Sequence, residues 1–265
     1  MRQKGKIMFN LNHGGLFAAI CGSGQNVVME NAVLFFAFLL LSIAAGYLLG
    51  SVNTAIVISK IFFKDDIRKY GSGNAGMTNM LRTFGGKAAL GVLFGDMLKT
   101  ALSIFIGGVL FGFGYFGGFS YGYNSEIMLF MGVGTYTAGL SAVLGHIFPI
   151  YYGFRGGKGV LVSATMALIL SPILFAIMFA VFVLLVATSK YVSLGSVTAA
   201  ILYPLLVYGM FGMVEMITPP IILLISIMIA VIITVAHKEN LKRIGNRTER
   251  KLSFKKKNKE SADEK

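Results

Sequence analysis

The chain has a single cysteine, Cys21, so neither a disulfide framework nor a cysteine-rich metal site is open to it. Its three histidines, His13, His146 and His237, are scattered, which argues against metal catalysis, and no cofactor is expected. Charged residues make up only 13% of its 265 positions. What fills the sequence instead is apolar: 55% of residues are hydrophobic and the mean hydropathy is +0.75. A soluble core does not need this much apolar sequence, and the composition describes an integral membrane protein.

A helical span needs roughly 20 apolar residues, fewer where it is packed inside a bundle. Seven candidate runs lie near 32–59, 88–113, 127–151, 160–171, 172–188, 192–211 and 217–236. The fourth is short, and Ser171-Pro172 makes a sharp turn into the fifth. Basic residues cluster between runs one and two (Lys60, Lys64, Arg68, Lys69, Arg82, Lys87), between three and four (Arg155, Lys158), at Lys190 and after His237. The opposite connections, about 112–126, the Ser171-Pro172 turn and 209–216, hold no Lys or Arg. By the positive-inside rule the basic side is cytoplasmic and the N-terminus is outside. An even number of spans would break this segregation. The expected fold is therefore an all-α integral membrane protein, a bundle of about seven transmembrane helices with cytoplasm-facing polar loops.

The termini read differently from the bundle. Residues 1–30 carry Arg2, Lys4 and Lys6 ahead of an apolar stretch broken by glycines, a poor signal peptide. They are expected to be a disordered or misassigned extension, with the functional chain starting near Met29. Residues 31–237 form the membrane domain, and 238–265 a basic cytoplasmic tail. From His237 onward eleven Lys/Arg face five Asp/Glu. Such a tail suits contact with anionic lipid, or simply keeps the end of the chain solvated.

Three glycine-rich or basic islands interrupt the apolar runs. The first runs from Gly71-Ser72-Gly73-Asn74 through Thr78-Asn79 to Arg82. Its glycines let backbone approach a ligand, Ser72, Asn74, Thr78 and Asn79 offer neutral hydrogen bonds, and Arg82 offers a bidentate fork. The same residues also make a plain hairpin between two helices. The second, Arg155-Gly156-Gly157-Lys158-Gly159, ends where the fourth run begins, at a helix N-terminus that favours an anion. It is not a Walker A loop: Lys158 is followed by glycine rather than Ser/Thr, and Tyr152 stands where an upstream glycine is required. A basic loop flanking the membrane reads the same way. The third is His237-Lys238-Glu239-Asn240, whose His237 and Asn240 share one helical face at the end of the last run. Ser193 opens the sixth run as a helix cap or a ligand hydroxyl.

Asp96 and Lys99 lie inside the second run, about 13 Å and 18 Å beyond Lys87 at helical rise. Ionisable groups at that depth point to function, but their i, i+3 spacing favours a mutually neutralising pair that tightens the bundle.

Together these segments resemble one family, the bacterial acyl-phosphate:glycerol-3-phosphate acyltransferases (PlsY family). The resemblance rests on G-S-G-N-x-G-x-T-N-x-x-R at Gly71 to Arg82, G-H-x-x-P continuing to G-F-R-G-G-K-G at Gly145 to Gly159, Y-V-S-L at Tyr191 to Leu194, and H-x-E-N at His237 to Asn240. It covers about residues 31–254. It implies seven spans, a site facing the cytoplasm of a bacterial plasma membrane, and transfer of a fatty acyl group from acyl phosphate to the 1-hydroxyl of sn-glycerol 3-phosphate, giving lysophosphatidic acid. By motif position it implies Ser72, Arg82, Lys158, His237 and Asn240 as catalytic residues. Gly71, Gly73, Asn74, Thr78, Asn79, Gly156, Gly157, Gly159 and Ser193 would bind substrate or phosphate, and Glu239 would hold the last motif in place. The sequence departs from the family in its leader, in Val52-Asn53 where a proline often follows Gly-Ser, and in the outer loop at 112–125. The expected partners are the two substrates and membrane lipid, with no nucleic acid, and the sequence leaves open whether a soluble enzyme that forms acyl phosphate docks on the basic tail. A small transporter or flippase for an anionic metabolite would also place polar residues among spans, but no internal repeat is visible and the islands cluster on one side.

Overall fold

The computed structural model describes residues 31–112, 132–214 and 220–252, with Leu16 and Ile20 besides. The remainder of the 1–30 extension, the outer loop beyond Gly112 and the tail beyond Leu252 lie outside the described residues. Within them the chain is helical, with no strand. The bundle consists of α1 (Ala32–Ser51), α2 (Thr54–Phe62), α3 (Met77–Phe84), α4 (Gly86–Phe111), α5 (Val133–Ile147), α6 (Val160–Leu170), α7 (Pro172–Ser189), α8 (Val192–Val214), α9 (Pro220–Ala236) and α10 (Lys238–Gly245).

The apolar runs dictate this order. α1 with α2, α4, α5 with the turn that follows it, α7 and α8 are long and apolar enough to cross a membrane, five in all among the described residues. α9 becomes a sixth if it is taken with α10, which it meets at a bend of 57°. α6 has only 11 residues, about 16 Å at helical rise, so it cannot cross the hydrocarbon core by itself. The expected count of about seven thus corresponds to five or six full-length spans and one short apolar helix. Large apolar side chains face outward, among them Val33, Phe36, Leu40, Phe94, Leu98, Leu184 and Leu205. Water would oppose such a surface, and lipid does not.

The core sits around α5, most of whose residues are buried and which touches α1, α4, α6 and α9. Small residues permit that crowding. A Cβ on Gly46 or Gly50 of α1 would lie 2.4 Å or 2.3 Å from the α5 carbonyl oxygens of Ala138 or Ala142, so only glycine allows the two backbones this close. Ser42 adds a hydroxyl donated to the Gly134 carbonyl at 3.0 Å. The apolar core proper joins Tyr136, Met166, Leu170, Leu174, Tyr203, Ile225 and Ile229 across α5 to α9.

Two features differ from the sequence reading. The first run, expected as one span over 32–59, is broken at Val52–Asn53, where α2 starts with Asn53 accepting the Ile56 amide through its side chain. The Ser171-Pro172 turn, expected as an outer loop, is packed away: Ser171 is 2% exposed and its hydroxyl lies 3.2 Å from that of Tyr136. Pro172 sits at the first turn of α7, where a missing N–H costs nothing.

Candidate functional site

All three islands meet at one end of the bundle. The first occupies the connection between α2 and α4, the second the connection between α5 and α6, and the third the bend between α9 and α10. The first two touch directly, since the Ala75 amide donates to the Gly156 carbonyl at 3.4 Å. Arg68 clamps them from the side, donating through Nη1 to the carbonyls of Tyr152 at 2.8 Å and Arg155 at 3.2 Å while Asp66 holds its guanidinium.

The first loop is wound around Asn79. Its Oδ1 accepts the Ser72 amide at 3.2 Å and its Nδ2 donates to the carbonyls of Ile67, Tyr70 and Asn74 at 3.0–3.3 Å. With its amide engaged in this way, Asn79 shapes the loop, a role the sequence did not point to. Gly71 and Gly73 serve the same winding, with positive φ of 59° and 71°. Around this staple the Ser72 hydroxyl, the Asn74 amide, the Thr78 hydroxyl and the Arg82 guanidinium make no hydrogen bond among the described residues. Ser72 and Arg82 are exposed.

The second loop is tighter. The amides of Gly156 and Gly157 donate to the carbonyls of Ile147 and His146, each at 3.0 Å, so they are not free to bind phosphate as the motif implied. The glycines are required for approach: a Cβ on Gly156 would lie 2.0 Å from the His146 carbonyl oxygen, and one on Gly157 2.0 Å from His146 Nε2. Gly159 caps α6 in the left-handed region at φ 79°. The first intrahelical bond runs from the Ser163 amide to the Gly159 carbonyl, so the amides of Val160 to Val162 stand outside the α6 ladder and face the Lys158 end.

Lys158, Asn240, Ser193 and Glu249 form one polar chain. Lys158 Nζ donates to Asn240 Oδ1, Asn240 Nδ2 donates to Glu249 Oε1 at 2.7 Å, and the Ser193 hydroxyl donates to the same oxygen at 2.9 Å. Arg243 Nε closes it at Glu249 Oε2, 2.8 Å away. Burial is the largest influence on the Glu249 carboxyl and would raise it, but the hydrogen bonds from Asn240, Arg243 and Ser193 outweigh it and hold it below the usual range. Lys158 is lowered to about 8, chiefly by burial, with Glu249 opposing and Arg243 and Arg82 reinforcing the shift. Arg82 in turn feels the charges of Arg250 and Glu249.

His237 stands at the corner between α9 and α10, 3% exposed. Its Nδ1 lies 2.8 Å from the Ile233 carbonyl oxygen. A carbonyl can only accept, so Nδ1 carries the proton and Nε2 presents a lone pair. Burial, with the Lys158 charge adding to it, lowers the imidazole to about 4, so the ring is neutral near pH 7.

The sequence reading missed three residues that hold this arrangement. Glu249 takes the scaffold role expected of Glu239, which instead is exposed in the first turn of α10. Its signal was present, as the sole acidic residue between Asn240 and Lys259 in a basic tail. Asn53 donates to the Ala75 carbonyl at 3.2 Å, tying the break in the first span to the first island. Arg68 was read only as one of a cluster of cytoplasmic charges. Among the described residues no three His, Cys, Asp or Glu side chains stand close enough to hold a metal ion. Close to this end, a groove of about 370 Å³ opens between α8 and α9, lined only by Ile201, Pro204, Leu205, Ala230, Val231, Thr234 and Val235.

Comparison with known proteins bears on this geometry. A family model described as glycerol-3-phosphate acyltransferase matches residues 40–247. Proteins named glycerol-3-phosphate acyltransferase are similar over most of the chain: that of Mycoplasmopsis agalactiae is 39% identical over 80% of this chain and 92% of its own length. That of Enterococcus faecalis is 39% identical over 78% and 89%. Among solved structures, PlsY, an integral membrane glycerol 3-phosphate acyltransferase, superposes in its glycerol 3-phosphate form with a TM-score of 0.66. It is 31% identical and covers 81% of this chain and 96% of its own. The lysophosphatidic acid form of PlsY gives a TM-score of 0.64 at 30% identity.

Proposed function

The chain belongs to the glycerol-3-phosphate acyltransferase family, and from that premise we propose that its site moves a fatty acyl group from acyl phosphate to the 1-hydroxyl of sn-glycerol 3-phosphate. The observation that carries this reading is the convergence of Lys158, Asn240, Ser193 and Arg82 with the neutral His237, at one end of an apolar bundle.

The chemistry asks little of the protein beyond alignment and charge. The hydroxyl oxygen bonds to the acyl carbonyl carbon, the bond from that carbon to the phosphate oxygen breaks, and the hydroxyl proton leaves with the departing phosphate. The products are lysophosphatidic acid and inorganic phosphate, with no covalent enzyme intermediate. Lys158 and Arg82 balance phosphate charge, and the free amides at the start of α6 add aligned donors. Ser72 and Thr78, on the open rim of the first loop, hydrogen-bond the glycerol phosphate. His237 Nε2 accepts a hydrogen bond from the glycerol 3-phosphate and so positions its 1-hydroxyl for attack, while that hydroxyl's proton goes to the phosphate.

The apolar groove between α8 and α9 suits the acyl chain. Thr234 and Val235 in its wall are within one turn of His237. Pro204 lacks the N–H that would bond the Ala200 carbonyl, which loosens α8 where the groove opens. Each methylene held in lipid or groove is worth about 0.8 kcal/mol, so a long chain stays there while its phosphate reaches the polar end. We place that end in the cytoplasm of a bacterial plasma membrane, where the basic tail offers a docking surface to the enzyme that forms acyl phosphate.

Purified protein in lipid, given palmitoyl phosphate and glycerol 3-phosphate, is expected to yield lysophosphatidic acid and phosphate in equal amounts, and none with palmitoyl-CoA as donor. Product from the thioester alone would overturn the choice of donor. No product from either would remove the reading.

A further inference from the structure

Beneath the two glycine loops lies a buried ionic cluster that the chemistry above does not use. Lys99 of α4 is 6% exposed and Asp96 1%. They form the pair expected from their spacing, at 2.9 Å, but the lysine does more than neutralise its neighbour. Its Nζ donates to the carbonyls of Gly50 at 3.0 Å and Val52 at 2.9 Å, and lies 3.0 Å from His146 Nδ1. Asp96 Oδ1 also accepts the Thr54 hydroxyl at 3.0 Å. The cluster therefore reaches both sides of the break between α1 and α2, and the last turn of α5.

A buried ion pair is a poor device for mere cohesion, because well-packed apolar side chains of the same volume hold helices as well or better. What apolar side chains cannot do is satisfy the carbonyls that a helix leaves free where it breaks. Lys99 satisfies two of them at the C-terminal end of α1, where a cation is also favoured by the helix dipole. Two of the groups it holds lead to site loops in one step. Asn53, next after Val52, caps α2 and donates to Ala75 in the first island. His146 receives the Gly157 amide on its carbonyl and lies against Gly157 with its ring.

We propose that Asp96, Lys99 and His146 are positioning residues that set the height of both glycine loops against each other, and so shape the glycerol 3-phosphate half of the site. This deepens the acyltransferase reading and rests on it. The cluster supports the loops at 72–76 and 156–158 and does not touch the groove between α8 and α9. Its loss therefore falls on one substrate.

The test separates the two substrates. Asp96→Asn combined with Lys99→Met removes both charges together and leaves neither buried alone. In lipid, this protein is expected to raise the KM for glycerol 3-phosphate about tenfold, the scale of one lost charge-assisted hydrogen bond. The KM for palmitoyl phosphate should stay within twofold of the parent. Equal changes in both constants, or a fall in kcat alone that tracks the folded fraction, would mean a merely structural pair and overturn the proposal. Because that protein can fail to assemble, His146→Asn and His146→Ala carry the same test. Asparagine offers a polar atom near the position of Nδ1 and should restore most of the glycerol 3-phosphate KM that alanine loses. Equal behaviour of the two would sink the assignment. A parent enzyme that makes no lysophosphatidic acid would instead condemn the acyltransferase reading, so the two failures are distinct.

Discussion

Lys158 is the residue where charge, burial and chemistry meet. An ordinary lysine keeps its proton to beyond pH 10, but this one is lowered to about 8 by burial, and only Glu249 among its neighbours opposes that shift. A lowered value means that the cation disappears earlier as pH rises. The kcat/KM for glycerol 3-phosphate should therefore fall as pH rises through about 8, measured at constant ionic strength. Lys158→Arg should move that descending limb out of range if it retains turnover at all, because the guanidinium does not titrate there. Glu249→Gln removes the opposing charge and should shift the limb to lower pH, while also lowering activity through loss of a hydrogen bond to Ser193, Asn240 or Arg243. A limb that ignores Glu249 would separate Lys158 from the rate. Arg82, exposed and without a hydrogen bond among the described residues, is free to move onto a ligand. Arg82→Ala should insert normally and lose at least tenfold in kcat/KM; wild-type rates would remove it from the site.

At the scale of loops and helices, the Gly156-Gly157 backbone is the tightest constraint. Both amides are spent on α5 carbonyls, so Gly157→Ala acts by forcing His146 aside rather than by blocking phosphate. It should cost both stability and glycerol 3-phosphate affinity, read as a lower unfolding temperature in detergent together with a raised KM. An alanine enzyme with unchanged melting and kinetics would mean the loop relaxes freely. How far such elements were legible follows from where their causes lie. Runs bounded by glycine, proline or charge gave their helices directly: 160–171 became Val160–Leu170 and 172–188 became Pro172–Ser189. The break at Val52–Asn53 was not read as one, because the apolar run continues on both sides of it and the lysine that holds its free carbonyls reaches across from α4. Site motifs were visible as residue types, but which side chain binds and which one winds a loop was not. Asn79 and Ser72 look alike in sequence and differ only in that the amide of Asn79 is already committed.

Segregation of the basic residues on one side needs an odd number of crossings, and α6, with 11 residues, is too short to make one by itself. Yet α6 leaves the site end at Gly159 and α7 returns to it at Lys190, whose carbonyl accepts the Leu252 amide at 2.8 Å. The pair leaves the site end and comes back to it, so it adds no net crossing. If each of the five remaining apolar elements, α1 with α2, α4, α5, α8 and α9, crosses once, Asn31 at the start of α1 and the site end fall on opposite sides. Basic residues crowd the site end, at Lys60, Lys64, Arg68, Lys69, Arg155 and Lys190, which supports the cytoplasmic placement proposed for it. The consequence is checked with single cysteines placed in a Cys21→Ser background. A membrane-impermeant maleimide added to intact spheroplasts should label Asn31→Cys and leave Lys190→Cys unmodified until the membrane is opened. Labelling of Lys190→Cys from outside would invert the molecule and place the phosphate-handling end away from a cytoplasmic supply of glycerol 3-phosphate.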